Sequence, residues 1–194
     1  MKSLWTIRQA AEWVVELGLA DTGELQHFLK SVPYLEYPCV DSGDIHTVLI
    51  EFGILYGPDA NGEFGGPPHW IESLCREELQ AIASASRGKL AITDVELIDS
   101  KGDYLLRFHC NRELQQWALP RGGRDNYAAL DVFLDRIGEL VPVGSSERWC
   151  SVEPTPDNSI AYVFGDPAVL RAVGGRFGIT FKFASGSPDL PRIC

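Results

Sequence analysis

The fold class of this chain is decided by the stretch LAITDVELIDSKGDYLLRFHC, residues 90–110. Its two arms, Leu90–Ile98 and Tyr104–Cys110, are rich in the branched and aromatic residues that are typical of β-strands. The five residues between them, Asp99–Asp103, include a glycine and three short polar side chains and have the chemistry of a hairpin turn. We therefore expect an antiparallel hairpin in the middle of the chain.

Upstream of this hairpin the apolar residues recur with helical spacing. Thr6 and Gln9 form a possible capping box for a first helix, and Asp21 with Glu24 marks the start of a second. Apolar positions spaced by three and four residues predict a third helix that continues to Tyr56. A fourth is expected from about residue 70 to residue 86, after the Gly/Pro-rich stretch 57–69.

Downstream of the hairpin, strands and helices alternate. The pattern predicts a helix over 126–140, a second strand pair at 148–152 and 160–164, a short helix that Asp166-Pro167 opens, and a last strand over 177–183. Close strand pairs favour an antiparallel sheet, so we predict an α+β fold with a helical N-terminal half packed on a mainly antiparallel sheet of about five strands.

We interpret residues 1–194 as a single α+β domain. Its parts are a helical region at 1–88, a ββαββαβ region at 89–183 and a loose tail at 184–194 that is rich in Gly, Ser and Pro. Hydrophobic residues make up 45% of the chain and charged residues 23%, which is ordinary for a globular protein. A chain of this length can bury roughly 70% of its extended surface, so disorder is not expected.

Cysteine usage and hydropathy suggest a cytoplasmic protein. The five cysteines (Cys39, Cys75, Cys110, Cys150 and Cys194) are odd in number and widely spaced, which favours reduced thiols over disulfides or a zinc site. Glu12 and Glu16 interrupt the N-terminal apolar stretch, so a cleavable signal peptide is not expected. No apolar run reaches the roughly 18 residues of a transmembrane helix, so no membrane partner is expected.

Negative charge is concentrated in the first third of the sequence. Residues 1–60 hold three Lys and Arg against nine Asp and Glu, a net charge of −6, whereas the whole chain carries −10. Such a field repels phosphate backbones and attracts basic surfaces. The sequence therefore predicts a basic protein as partner and argues against nucleic acid.

Motifs for catalysis or metal binding fail when their spacing is checked. The stretch Asp59–Glu63 resembles a calcium loop, but its sixth and twelfth positions hold Phe64 and Trp70 instead of Gly and Glu. His109 and Cys110 are adjacent on a predicted strand, so their side chains are expected on opposite faces. We therefore predict neither a catalytic residue, nor a metal site, nor a cofactor, and favour a non-enzymatic function.

The leading hypothesis is an acidic protein-binding module. One concrete version is a bacterial immunity protein that neutralises a cationic toxin, such as a nuclease, by covering its active site. The expected contacts are five acidic residues near the N-terminal half and three aromatic anchors beside them: Glu36, Asp41, Asp44, Asp59 and Glu63, with Tyr34, Tyr37 and Trp70.

Two alternatives remain open. The first is an enzyme or ligand-binding domain that holds an anionic small molecule in the loop before the predicted helix at 126–140. That loop, Arg121, Gly122, Gly123 and Arg124, combines guanidinium donors with flexible backbone near a helix N-terminus, although it matches no known phosphate-binding motif. The second is a structural or assembly subunit that uses the same acidic face.

Overall fold

The structure is a computed structural model that describes residues 5–39, 42–58, 66–100, 102–121, 128–153 and 160–184. These residues form six α-helices and three antiparallel sheets, which confirms the predicted α+β class. The helices are α1 (Ile7–Glu16), α2 (Thr22–Ser31), α3 (Ser42–Glu51), α4 (Pro68–Ala85), α5 (Ala128–Arg136) and α6 (Pro167–Phe177). The strands are β1 (Trp5–Thr6), β2 (Pro38–Cys39), β3 (Leu55–Tyr56), β4 (Ile92–Asp99), β5 (Tyr104–Cys110), β6 (Glu113–Leu119), β7 (Arg148–Glu153), β8 (Tyr162–Gly165) and β9 (Thr180–Phe183).

The strands are distributed over three sheets instead of one. Strands β1 and β2 form a two-stranded sheet, β3-β8-β7-β9 a four-stranded sheet and β4-β5-β6 a three-stranded sheet. The expectation of about five strands was therefore wrong, since nine form within the described ranges. The predicted hairpin is confirmed as β4 and β5, in which Ile98 lies opposite Leu105.

The structure differs from the predictions at the end of the third helix, at the start of the last strand and in the presence of β6. The third helix ends at Glu51, and Leu55–Tyr56 instead pairs with β8 as β3. The last strand begins at Thr180 because α6 continues to Phe177 and is capped by Gly178, which adopts φ +75°. Strand β6 was missed because its turn residues, Asn111 and Arg112, lack the glycine that usually marks a tight hairpin. Both adopt positive φ, at +51° and +73°.

The chain forms two compact units. The first unit comprises residues 1–57 and 150–182, and the second comprises 58–149 and 183–194. These units cut across the predicted division at residue 88, because α4 belongs with the three-stranded sheet and α6 belongs with the N-terminal helices. Whether 1–194 acts as a single domain stays a prediction. Of the predicted tail, only Ala184 is described; it is buried, and its N–H bonds to the carbonyl of Trp149.

The first unit is built around α1. Its inward face carries Ala10, Ala11 and Val14, which are fully buried. Small residues at these positions let α2 and α3 pack closely against α1. The predicted capping box is confirmed: the Thr6 hydroxyl accepts from the Gln9 N–H, and the Gln9 side chain accepts from the Thr6 N–H. These contacts satisfy N–H groups that a helix start otherwise leaves unpaired.

The second unit is built around the three-stranded sheet. Buried residues alternate with half-buried ones along β5, so one face of the sheet forms the core. The Trp117 ring lies in that core, with edge-to-face contacts to Phe108 and Phe133 at centroid distances of 5.0 and 5.4 Å. Helix α4 packs against β4, and α5 packs against β6. The opposite face of the sheet is the more exposed one.

Candidate functional site

The candidate site is the segment Tyr34–Tyr37, which we call the aromatic turn. It lies in the first unit between α2 and β2, and its backbone is tied to the start of α1. The Ile7 N–H donates to the Tyr37 carbonyl and the Arg8 N–H donates to the Leu35 carbonyl, both at 2.9 Å. The Tyr37 N–H closes the turn on the Tyr34 carbonyl at 3.0 Å. The first two N–H groups of α1 are thereby satisfied, and the backbone of the turn is anchored to the start of this helix.

The turn presents two tyrosines with different exposure. Tyr37 is 69% exposed, whereas Tyr34 is half-buried and packs against the core of the first unit. Their ring centroids are 6.4 Å apart with a tilt of 38°. Tyr34 therefore packs the turn against the core, whereas the large amphipathic side chain of Tyr37 is exposed to solvent.

Glu36 lies between these rings in sequence and has a cationic neighbour. Its Oε1 accepts a hydrogen bond from Arg8 Nε at 2.8 Å, and its side chain remains 71% exposed. Oε2 has no hydrogen bond to any of the described residues, so it is available to a partner. Arg8 was not among the predicted site residues. No local pattern could have found it, because it lies 28 positions from Glu36 in the chain.

Two of the remaining predicted contact residues, Asp44 and Trp70, lie on other elements of the described structure. Asp44 lies half-buried in the first turn of α3, where a negative charge is favoured by the helix dipole. Trp70 is 59% exposed in the first turn of α4, which belongs to the second unit. A Cβ on Gly66, which adopts φ +123°, would lie 3.0 Å from the Trp70 ring. Asp41, Asp59 and Glu63 lie outside the described residues.

The other tryptophans are packing residues. Trp117 and Trp149 are fully buried. Trp5 and Trp13 meet edge to face at a centroid distance of 5.2 Å, and the Arg176 guanidinium lies 4.3 Å from the centre of the Trp5 ring. Trp70 is thus the tryptophan with the most exposed side chain among the described residues.

Both compact units carry the same net charge. The first unit contains eleven acidic residues against six basic ones, a net of −5, and the second contains sixteen against eleven, also −5. Within the second unit, residues 58–149 hold five more acidic than basic side chains, so this segment accounts for the whole net charge of the unit. Acidity is therefore a property of both units, although the sequence concentrates it near the N-terminus.

The alternative anion site is described at one of its four residues. The Arg121 guanidinium forms an ion pair with Asp99 and stacks on the Tyr104 ring, 4.6 Å from its centre. An anion would have to compete with the Asp99 carboxylate for this group. Gly122, Gly123 and Arg124 lie outside the described residues, so the anion-binding hypothesis stays a prediction.

The described cysteines do not resemble catalytic nucleophiles. All four are buried. Burial raises the pKa of Cys75 and Cys150 to about 12 and that of Cys110 to about 11, so these thiols are protonated near neutral pH. Cys110 is buried and His109 is half-buried with its Nδ1 3.1 Å from Asp94 Oδ2. This confirms that the two side chains lie on opposite faces of β5.

A small pocket of about 180 Å³ lies in the second unit. It is lined by Cys110, Glu113 and Glu139, together with apolar side chains from the segment that follows α5. Glu139 is already held by the Arg136 guanidinium at 2.7 Å, and the Cys110 thiol is protonated. The lining therefore offers no nucleophile that is activated by a base. Nowhere in the described ranges do three metal-ligating side chains come together.

Comparison with protein-family models, with curated proteins and with solved structures finds no significant match to this chain. In the part of the chain that the structure describes, the helices are all too short or too polar to cross a bilayer.

Proposed function

We propose that the protein is a binding module that docks a basic protein through the aromatic turn. The observation that carries this proposal is the 69% exposure of Tyr37 on a backbone held by three hydrogen bonds. Tyrosine is enriched among the residues that dominate binding energy at protein interfaces. A turn that is already ordered before binding loses little conformational entropy on association.

Charge supports a basic partner. The Glu36 carboxylate is exposed beside Tyr37, and the first unit carries a net charge of −5. An exposed ion pair such as Arg8–Glu36 contributes at most about 1 kcal/mol to stability. Its main effect is positional: it fixes the carboxylate of the residue that precedes Tyr37, while the Glu36 side chain stays 71% exposed. A basic side chain could then contact the ring and the carboxylate together.

The more specific version is a bacterial immunity protein that neutralises a cationic toxin by covering its active site. A rigid aromatic anchor beside a carboxylate suits a groove that is lined with basic residues. Fast association, which opposite charges favour, is an advantage when the partner is lethal. A toxin gene next to the gene for this chain would support this version, whereas a metabolic operon would favour the anion-binding alternative.

The test is a binding measurement on a purified partner. Basic proteins captured by the immobilised chain, or the product of the neighbouring gene, are purified and titrated by calorimetry. Tyr37→Ala should raise the dissociation constant about 30-fold or more, on the scale of an interface hot spot. The matched control is Val143→Ala, which removes an 86% exposed apolar side chain from the second unit.

Two outcomes decide the proposal. An unchanged affinity for Val143→Ala together with a large loss for Tyr37→Ala would support the aromatic turn as the contact. Equal affinities of Tyr37→Ala and wild-type protein for every captured basic partner would overturn it. For the immunity version, an equimolar amount of the protein must also abolish the activity of the toxin.

A further inference from the structure

The pocket of about 180 Å³ in the second unit lies between two segments of the chain. One is the tip of the β5–β6 hairpin, where Cys110 lies opposite Glu113. The other is the segment 139–143, which follows α5. Cys110 is buried on the core face of β5, so the pocket borders one end of the core of this unit.

Hydrogen bonds within the unit fix both sides of the pocket. The Asn111 side chain accepts from the Ala91 N–H at 2.8 Å and donates to the Lys89 carbonyl at 3.1 Å. These two bonds tie the hairpin tip to the segment that precedes β4. On the other side, the Val141 N–H donates to the Glu139 carbonyl at 3.0 Å. A site whose walls are already ordered loses little conformational entropy when it binds a ligand.

The lining of the pocket combines an apolar wall with negative charge. Val141, Pro142 and Val143 form the apolar wall. The charged side chains of the lining are those of Glu113 and Glu139, and none of the described residues that line the pocket is a lysine, an arginine or a histidine. A concave site of this composition favours a ligand that is positively charged at one end and apolar at the other.

The two carboxylates differ in whether a cation already neutralises them. Both oxygens of Glu139 accept from Arg136 Nε, at 3.1 and 3.0 Å, and Oε2 also accepts from Nη2 at 2.7 Å. The Glu113 carboxylate forms no hydrogen bond or ion pair with any of the described residues. Its field reaches the floor of the pocket, because burial and, second to it, the charge of Glu113 raise the pKa of Cys110 to about 11. Glu113 therefore supplies the uncompensated charge of the site.

We propose that this pocket binds a small organic ammonium ion, with the Glu113 carboxylate as its counter-ion and the wall formed by Val141, Pro142 and Val143 against its hydrocarbon part. At the roughly 30 Å³ that a water molecule occupies, the pocket has room for about six non-hydrogen atoms. A primary alkylamine with about four carbon atoms fits this volume. The proposal does not depend on the aromatic turn or on a basic protein partner.

The test is a titration of the full chain with n-butylammonium chloride at constant ionic strength, followed by NMR of the backbone amides. Near pH 7 this amine is protonated. The amide signals of Glu113, Gln115 and Val141 should shift and saturate, with a dissociation constant of about 1–10 mM for a ligand of this size. The neutral analogue 1-butanol should bind about fivefold more weakly. Butyrate, which Glu113 repels, should produce no saturable shift.

Three variants locate the charge that binds the ligand. Glu113→Gln should raise the dissociation constant about fivefold, the scale of an exposed ion pair. Glu77→Gln removes the same charge from an exposed position on α4 of the same unit and should leave the affinity unchanged. Val143→Lys places an ammonium group at the pocket wall and should weaken binding by a similar factor. All three positions are exposed, so the fold should survive, which circular dichroism checks.

The outcomes separate a charge-selective site from a merely apolar cavity. Saturable shifts that weaken in Glu113→Gln and in Val143→Lys but not in Glu77→Gln would support the proposal. No saturation up to about 50 mM, or equal affinities for n-butylammonium and 1-butanol, would overturn it. An unchanged affinity in Glu113→Gln, or an equal loss in Glu77→Gln, would do so as well.

Discussion

The Glu72 carboxylate accepts a hydrogen bond from the backbone N–H of Leu97, with Oε2 3.2 Å from the nitrogen. Leu97 lies in β4, which is an edge strand of the three-stranded sheet. From the same helix, Arg76 Nη2 donates to the Val95 carbonyl at 3.0 Å and also to Glu72 Oε1. Side chains of α4 thus occupy hydrogen-bonding positions that another strand would otherwise take. Covering an edge in this way protects it from pairing with other chains.

Removal of the Glu72 carboxylate should destabilise the second unit. Glu72→Ala leaves the part-buried N–H of Leu97 without its partner and frees Arg76 from one of its two acceptors. We expect a loss of about 1–3 kcal/mol in the free energy of unfolding, measured by urea denaturation. The control is Glu77→Ala on the same helix, whose carboxylate bonds only to the exposed Ser73 hydroxyl among the described residues. Equal effects of the two variants would show that the bond to Leu97 is not important.

Two adjacent glycines of α6 should respond in opposite ways to alanine. A Cβ on Gly174 would lie 2.3 Å from the Ile179 carbonyl oxygen, whereas a Cβ on Gly175 would meet nothing within 4 Å. Gly174→Ala should therefore cost about 1–3 kcal/mol, the range for overpacking. Gly175→Ala should be neutral or stabilise by up to about 1 kcal/mol, because alanine favours the helix. Thermal unfolding of both variants measures this, and a stable Gly174→Ala would contradict the tight approach of Ile179 to α6.

The cysteines should be protected in the native state. All five thiols should react with a thiol reagent in denaturant without reductant, and few should react near neutral pH in the folded protein. The reason is burial, which keeps Cys75, Cys110 and Cys150 protonated and inaccessible. Two or fewer reactive thiols in denaturant would contradict the interpretation that the cysteines are reduced.

The same burial predicts a loss of stability at alkaline pH. The pKa of each of these three thiols is raised from 9.0 to about 11 or 12 on folding. The unfolded chain therefore releases thiol protons at a lower pH than the folded chain does. The stability that the protonated thiols contribute is fully present below pH 9 and is lost as the pH rises toward 11–12. Urea unfolding across this range should show a smaller decline for Cys75→Ala than for wild-type protein, each compared with its own value at pH 8.

Charge reversal in the first unit should slow association with a basic partner. Glu36→Lys combined with Asp44→Lys should reduce the association rate about tenfold at low salt, because steering depends on the local field. The matched control reverses Asp131 and Asp135, two exposed residues on α5 in the second unit. Stopped-flow kinetics on a purified partner measures both. Similar slowing in both variants would mean that only the total charge matters.

Features that depend on a few neighbouring residues could be predicted from the sequence. Capping side chains identified the starts of α1, α2 and α6, since Thr6, Asp21 and Asp166 each accept a hydrogen bond from the first turn that follows. The short turn between β4 and β5 led to the correct hairpin and the correct fold class. In each case the interaction that determines the structure joins residues only a few positions apart.

Features that depend on distant residues were decided by tertiary structure alone. The sequence pattern places Leu55 near the end of a helix. In the structure Leu55 instead pairs with Val163 in β8, more than one hundred positions away. Tyr37 and Glu36 could be named from their residue types. Their fixed presentation, however, comes from α1, through the Tyr37 carbonyl and the Arg8 guanidinium. The spacing of apolar residues in the sequence indicates which side of a segment is apolar. The partner that completes its backbone hydrogen bonds is selected only when distant segments pack together and exclude water.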